Sequence, residues 1–356
     1  MADDPIRIAI DTLGGDASPT VLVSAALDAV GCASSVQRAG TDSGVSARGT
    51  GPTPPVPAFT FFGDAAVVAP LLEGTGHDVV HSPRRLEVED PLRATLRGAM
   101  ASSMRAAVDA LARGDADAVV SAGSTGALVA LSRHLVGLLA GVRRPAIIKT
   151  LGAADGGRFR MLDLGANIGS SSEQLHQFAL MGSAAALGER DEEEVGLSPS
   201  VGLLNIGSEV SKGPPEVRSA ARLLEADERV QYAGFIEPHR LFDGATDIVV
   251  TDGFAGNIAL KASEGAAQMA RYLLAKELAD TSPGVALAKA MLHKRLDRVR
   301  DAYNPQTYNG ASLLGVAGVV VKSHGGADRT GFASAVRQAI GALATGSVAR
   351  IAAGVQ

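Results

Sequence analysis

The 356-residue chain has no tryptophan and a single cysteine, Cys32, and aromatic residues make up only 4% of it. One cysteine forms no internal disulfide, which argues against a cross-linked secreted scaffold and a cysteine-built zinc site. No apolar run reaches the ~18 residues that a membrane-spanning helix requires. The opening residues, MADDPIRIAI, hold no basic region leading into an apolar stretch, so no secretory signal is expected. Positive charge is not in excess either. The 33 Lys and Arg stand against 38 Asp and Glu, a formal net charge of −5, which argues against a protein that coats nucleic acid. Several catalytic signatures are also missing: there is no Walker A lysine motif, no GxGxxG turn, no HExxH and no GxSxG elbow. The expectation is a cytoplasmic protein with no cofactor, no metal and no covalent nucleophile on display.

Apolar mass and glycine are plentiful. Hydrophobic residues reach 46%, so a large core is available, filled by Ala, Val and Leu. The length suits one large α/β unit spanning residues 1–356. Many of the 42 glycines sit at strand-to-helix junctions, where they relieve tight turns. Strands are expected at Ile6–Asp11, Phe59–Phe62, Asp78–His81, Ala118–Ser121, Ile147–Lys149, Arg160–Asp163, Val201–Asn205, Gln231–Phe235, Asp247–Val250 and Val319–Lys322. Helices are expected between them, notably at Pro91–Ala112, Thr125–Leu139, Glu173–Leu187, Pro215–Leu224, Asn257–Leu278 and Arg329–Ala352. This alternation predicts a doubly wound, mostly parallel sheet with helices on both faces. Residues Gly31–Pro57, rich in Ser, Gly, Thr and Pro, read as a flexible insert, and Glu189–Val195 as a solvated connector.

In open parallel sheets ligands lie beyond the carboxyl ends of the strands. The segment AVVSAGSTGALVA, Ala118–Ala130, is the most informative of these ends: an apolar strand meets Gly123-Ser124-Thr125-Gly126 and a helix begins. Backbone N–H groups, two hydroxyls and a helix dipole then converge on one point, which favours an anion. Other strand ends carry Gly14-Gly15-Asp16, Asp163 with Asn167, Asn205 with Lys212, Asp252 with Asn257 and Lys261, and His324 with Asp328. Each has a plain alternative, since Asp caps helices, Gly and Asn suit turns, and Lys is a common surface residue. Lys261 follows Asn257 by four residues and shares its helix face. His324, beside Gly325 and Gly326, sits where a packed core imidazole is unusual.

Seven ordered segments, IAIDTLGGDASP, DAVVSAGSTGAL, MLDLGAN, VGLLNIGSE with SKG, DIVVTDGFAGNIALK, YNGASLLG and KSHGGAD, together resemble the phosphate acyltransferase family of bacterial phospholipid synthesis. The likeness spans nearly the whole chain. Thr12-Leu13 stands where Ala-Met is more usual, and the Gly31–Pro57 insert is longer than the family's link. A weaker likeness to phosphotransacetylases lies in the Ser-Ala-Gly turn, the Gly-Asn helix start with Lys261, and the turn near His324.

The resemblance implies a three-layer α/β/α fold of the isocitrate and isopropylmalate dehydrogenase type, with an extended helical region. It implies transfer of a long acyl group from acyl carrier protein to inorganic phosphate. Gly14, Gly15, Asp16, Ser124, Thr125, Gly126, Asp163, Asn167 and Lys212 are then expected to bind phosphate or acyl phosphate. Lys261, His324, Asn257 and Asp252 are expected in catalysis, with Asp252 or Asp328 orienting the His324 imidazole and Asn257 or Asn167 donating to the oxyanion. A homodimer is implied, with contact to an anionic membrane surface and a membrane-bound glycerol-phosphate acyltransferase. The segment 284–303 places Val285, Ala288, Leu292, Leu296 and Val299 at helical spacing among Lys289, Lys294, Arg295, Arg298 and Arg300, so it suits lipid, carrier protein or a second subunit. The alternative activity is a coenzyme A-dependent phosphate acyltransferase for short acyl groups.

Overall fold

A computed structural model describes residues 5–39, 57–87, 90–97, 101–188, 198–279, 282, 284, 290–294, 306 and 308–356. The strands are β1 Arg7–Asp11, β2 Ala58–Gly63, β3 Asp78–His81, β4 Ala118–Ser121, β5 Ala146–Gly152 and β6 Arg158–Leu162, then β7 Ser200–Leu204, β8 Gln231–Ile236, β9 Ile248–Val250, β10 Ala311–Leu314 and β11 Val319–Lys322. They form one sheet in the order β3-β2-β1-β4-β11-β10-β5-β6-β9-β7-β8. The helices are α1 Pro19–Ala39, α2 Ala65–Val68, α3 Leu92–Leu96, α4 Ser103–Arg113 and α5 Thr125–Leu131, then α6 Ser172–Leu187, α7 Pro215–Glu225, α8 Gly253–Leu278, α9 Arg329–Ala344 and α10 Ser347–Gly354.

Alternation of side chains builds three layers. Ile8 and Ile10 of β1 pack under α1 and α9, while Ala9 between them turns to Met104, Ala107 and Val108 of α4. In the other half, Ile148 and Leu162 pack under α6, and Ile147 and Met161 face the α4 side. The α4-side cluster runs from Phe62 of β2 to Val249 of β9, so one continuous core joins the two halves.

The sheet is not parallel throughout, and this decides where the site forms. β1, β2, β3, β4 and β11 run together, as do β6, β7, β8 and β9. Between them, β10 is antiparallel to both β11 and β5, and β5 is antiparallel to β6. Three reversals turn the second half over, so its carboxyl ends lie at the opposite edge from those of β1, β4 and β11. The strand β10 was not expected: ASLL is too short to show a period, and its place is set by its neighbours.

Local signals account for the differing helix boundaries. The helix expected at Pro91–Ala112 is two, because the Ser102 side chain accepts the Arg105 N–H and starts α4 afresh. The one expected over Thr125–Leu139 gives way to a π-turn, Ser132–Val136, and stops at Gly137 with φ 86°. Arg329–Ala352 breaks at Gly346, left-handed with φ 61°. Helix α1 runs to Ala39, into the stretch expected as a flexible insert, and residues 40–56 lie outside the described residues, as do 189–195 and most of 284–303. No helix among the described residues is long and apolar enough to cross a membrane.

Candidate active site

Asp11, Ser121 and Lys322 end three adjacent parallel strands. Lys322 pairs with Ser121, and Ile10 pairs with Val120, so the three side chains stand in a row on the α4 face. Beyond them three turns interlock. The Asp16 N–H donates to the Gly325 carbonyl at 2.8 Å. A Cβ on Gly14 would lie 2.5 Å from the Gly123 nitrogen, and Gly15 takes φ 78° with its turn against Gly325. Only glycine permits that approach. Above these turns lies a cavity of about 380 Å³, floored by Ile147, Lys149 and Ala311 and walled by Asn257, Leu260 and Lys261 of α8.

The polar groups around this cavity are partly committed and partly free. Asp11 is buried and accepts the Ser103 and Ser121 hydroxyls, both at 2.6 Å, and the Leu13 N–H. Burial pushes its carboxyl above the usual range against the pull of those donors. Ser121 Oγ also accepts the Gly123 N–H at 3.1 Å, which aims the turn carrying Ser124 and Thr125. Ser124 caps α5 with its backbone alone. Among the described residues neither the Ser124 nor the Thr125 hydroxyl has a hydrogen-bond partner, and the first N–H groups of a helix have no acceptor within it. Lys149 is held by Glu264 at 3.3 Å, whereas Lys261 has no carboxylate partner among the described residues. His324 Nδ1 accepts the Gly326 N–H at 3.0 Å, so the neutral ring carries its proton on Nε2, and its backbone N–H is held by the Asn309 carboxamide at 2.9 Å.

Of the residues singled out from the sequence, Gly14, Gly15, Asp16, Ser124, Thr125, Asn257, Lys261 and His324 line this one cavity within a single chain. Two need correction as anion ligands. The Gly14 N–H is turned to Asp11, so that glycine permits close approach, and the Asp16 carboxylate repels an anion while its N–H ties down Gly325.

Gly126, Asp163, Asn167, Lys212 and Asp252 do not line the cavity. Gly126 is exposed in the first turn of α5. The remaining four follow β6, β7 and β9, and of the loop after β6 it is Leu164 that reaches the cavity. Asp163 is buried and accepts the Ile147, Gly165, Ala166 and Asn167 N–H groups and the Asn167 carboxamide, which knits a loop. Asp252 caps α8 and accepts the Ser170 N–H, and Asp328 caps α9. Neither carboxylate orients His324. Sequence reasoning placed Asp11 at a strand end but gave it no role and passed over Lys149, Asn309 and Lys322, although for Lys322 a charged residue closing an otherwise apolar strand is a visible signal.

A family model described as "Fatty acid synthesis protein" matches residues 55–350. A phosphate acyltransferase from Methylococcus capsulatus is 40% identical over 339 residues, covering 94% of this chain and 92% of that protein. This chain belongs to the phosphate acyltransferase family. Another family member, from Teredinibacter turnerae, is 37% identical and covers 98% of both chains. The acyltransferase fold is shared more widely: a phosphotransacetylase from Streptococcus pyogenes superposes with a TM-score of 0.54 at 15% identity over 95% of each chain. A branched-chain phosphotransacylase from Enterococcus faecalis gives 0.51 at 15% identity, over 94% of this chain and 99% of that one.

Proposed function

We propose that this acyltransferase moves a long acyl group from the thioester of acyl carrier protein to inorganic phosphate. One observation carries the reading: the Ser124 and Thr125 hydroxyls and the Lys261 ammonium, all without a partner among the described residues, line one cavity with His324. Phosphate enters over the Ser124–Thr125 turn and is itself the nucleophile, which suits a site that aims no activated side chain at the substrate. One phosphate oxygen attacks the thioester carbonyl, and the Asn257 amide and Lys261, which line the same cavity, serve as donors to the developing oxyanion. Collapse breaks the C–S bond and gives acyl phosphate and thiolate. The proton that phosphate gives up ends on the sulfur, and the His324 Nε2–H donates a hydrogen bond to the departing thiolate. A thiol of pKa ~8.5 leaves readily, so little acid assistance is required.

Exposed Phe254, Ile258, Met269, Tyr272 and Leu273 on α8 support a second copy of the chain covering that helix. Exposed Met291 and Leu292 support a lipid-facing or carrier-facing role for the basic segment that contains them. The family likeness supports, as part of this reading, peripheral residence at a cytoplasmic membrane beside a glycerol-phosphate acyltransferase that consumes the product.

The test is release of carrier-protein thiol from a long-chain acyl donor, with and without inorganic phosphate. Release that needs phosphate and yields acyl phosphate supports the reading. Equal release without phosphate, or preference for a short coenzyme A thioester, overturns it.

A further inference from the structure

The cavity floor holds a lysine that the reaction above does not use. Lys322 is the last residue of β11, its side chain largely buried, and its Nζ donates to the Ala122 carbonyl at 3.1 Å and to the Ser323 carbonyl. Those two carbonyls belong to different turns. Ala122 opens the turn that presents Ser124 and Thr125; Ser323 opens the one that presents His324. On the other side of Ser121 in the same row stands Asp11, whose hydrogen bonds fix Ser121 and, through Ser121, the Gly123 N–H. No carboxylate forms an ion pair with Lys322 among the described residues, so its ammonium is spent on the turns.

Burying an ammonium is expensive unless its donors are satisfied and its charge is wanted. An apolar residue at the end of β11 would continue Val319–Val321 and pack at lower cost. The geometry points to Lys322 as a positioning residue, which clamps the phosphate-bearing turn to the His324 turn from below and keeps a buried positive charge under the bound dianion. The inference rests on the phosphate reading of this cavity.

Two measurements separate it from that reading. Thermal shift with inorganic phosphate reads anion binding without turnover, and steady-state kinetics with a long-chain acyl-carrier-protein donor reads the reaction. In K322M the Michaelis constant for phosphate rises roughly tenfold or more while that for the acyl donor stays within about twofold, and the phosphate-induced shift disappears. K322R restores a large part of both by keeping the charge. Should K322M fail to fold, S121A removes the acceptor of the Gly123 N–H from the same row, and the same phosphate-specific loss is expected. Unchanged phosphate affinity in folded K322M or S121A, or equal loss for phosphate and acyl donor, overturns the inference. Wild-type protein stabilised by phosphate but unable to transfer acyl groups to it overturns the reaction and leaves the role of Lys322 standing.

Discussion

Replacing Gly14 with alanine tests whether the interlocked turns set the catalytic geometry. A Cβ at this position would lie 2.5 Å from the Gly123 nitrogen and 2.7 Å from Oδ2 of Asp11, where ordinary contact begins at 3.4 Å. The turns must therefore part by about 0.9 Å, and neither neighbour is the free end of a flexible side chain. Overpacking of this kind costs about 1–3 kcal/mol. Misplacement by ~1 Å of groups that hold a reactant costs on the order of 10²-fold in rate. Steady-state kinetics with a thermal melt read both effects, and Gly265→Ala on exposed α8, where a Cβ meets nothing within 4 Å, serves as the control. G14A is expected to lose about 10²-fold in kcat/KM for phosphate, with a lowered Tm, while G265A matches or slightly exceeds wild-type stability. If G14A keeps kcat and the phosphate KM within twofold of wild type, the contact between the two turns does not set the site.

Lys261→Ala removes a cation that lines the cavity and is expected to lower kcat/KM by about 10²-fold, in line with loss of an oxyanion donor; near-normal turnover rules out that role. Asp163→Ala leaves four backbone N–H groups without their acceptor, and since each buried donor so orphaned costs about 1–3 kcal/mol, a large fall in the urea midpoint is expected. The phosphate KM should also rise above about pH 8, because burial brings the Lys322 ammonium down to about 8 and its charge is lost as pH climbs through that value. Asp11 and Asp16 oppose that loss, and Lys149, Lys261, Glu264, Arg85, Glu87 and His324 face the same cavity. K322R, charged throughout, should flatten the alkaline rise, and an identical rise in K322R assigns it to another group.

The parallel parts of the fold were legible because their strands carry enough apolar residues to declare themselves. Asp78–His81, Ala118–Ser121 and Val319–Lys322 were placed to the residue. The hidden element was β10, four residues long, whose strand identity comes from the partners on either side and not from its own sequence. Its omission had a specific consequence. With β10 missing and β5 taken as parallel, every strand end looked as if it faced one edge, so Asp163, Asn167, Lys212 and Asp252 were grouped with Ser124 and His324. Periodicity reports which face a residue takes, but it carries no sign for strand direction. Asn257 and Lys261, in the first turns of α8, line the cavity beside Leu164 of the loop after β6.

Lys322 was overlooked for a related reason. A lysine at a strand end is ordinarily solvated, and only the register that sets it beside Ser121 and Asp11 reveals a buried polar row. That row explains how a site of flexible turns is kept rigid. The turns themselves have little apolar weight: glycines and small polar residues give the close approach an anion needs but contribute little packing. Their order must come from beneath, where burial makes each hydrogen bond less replaceable by water. The exposed Lys261 ammonium is screened by solvent and free to move. A buried, tethered ammonium is neither. On the proposed reading, Lys261 and His324 serve capture and chemistry, while the row under the turns governs where the phosphate comes to rest. Variants of the two sets should therefore separate, with loss of turnover in the first and loss of phosphate affinity in the second.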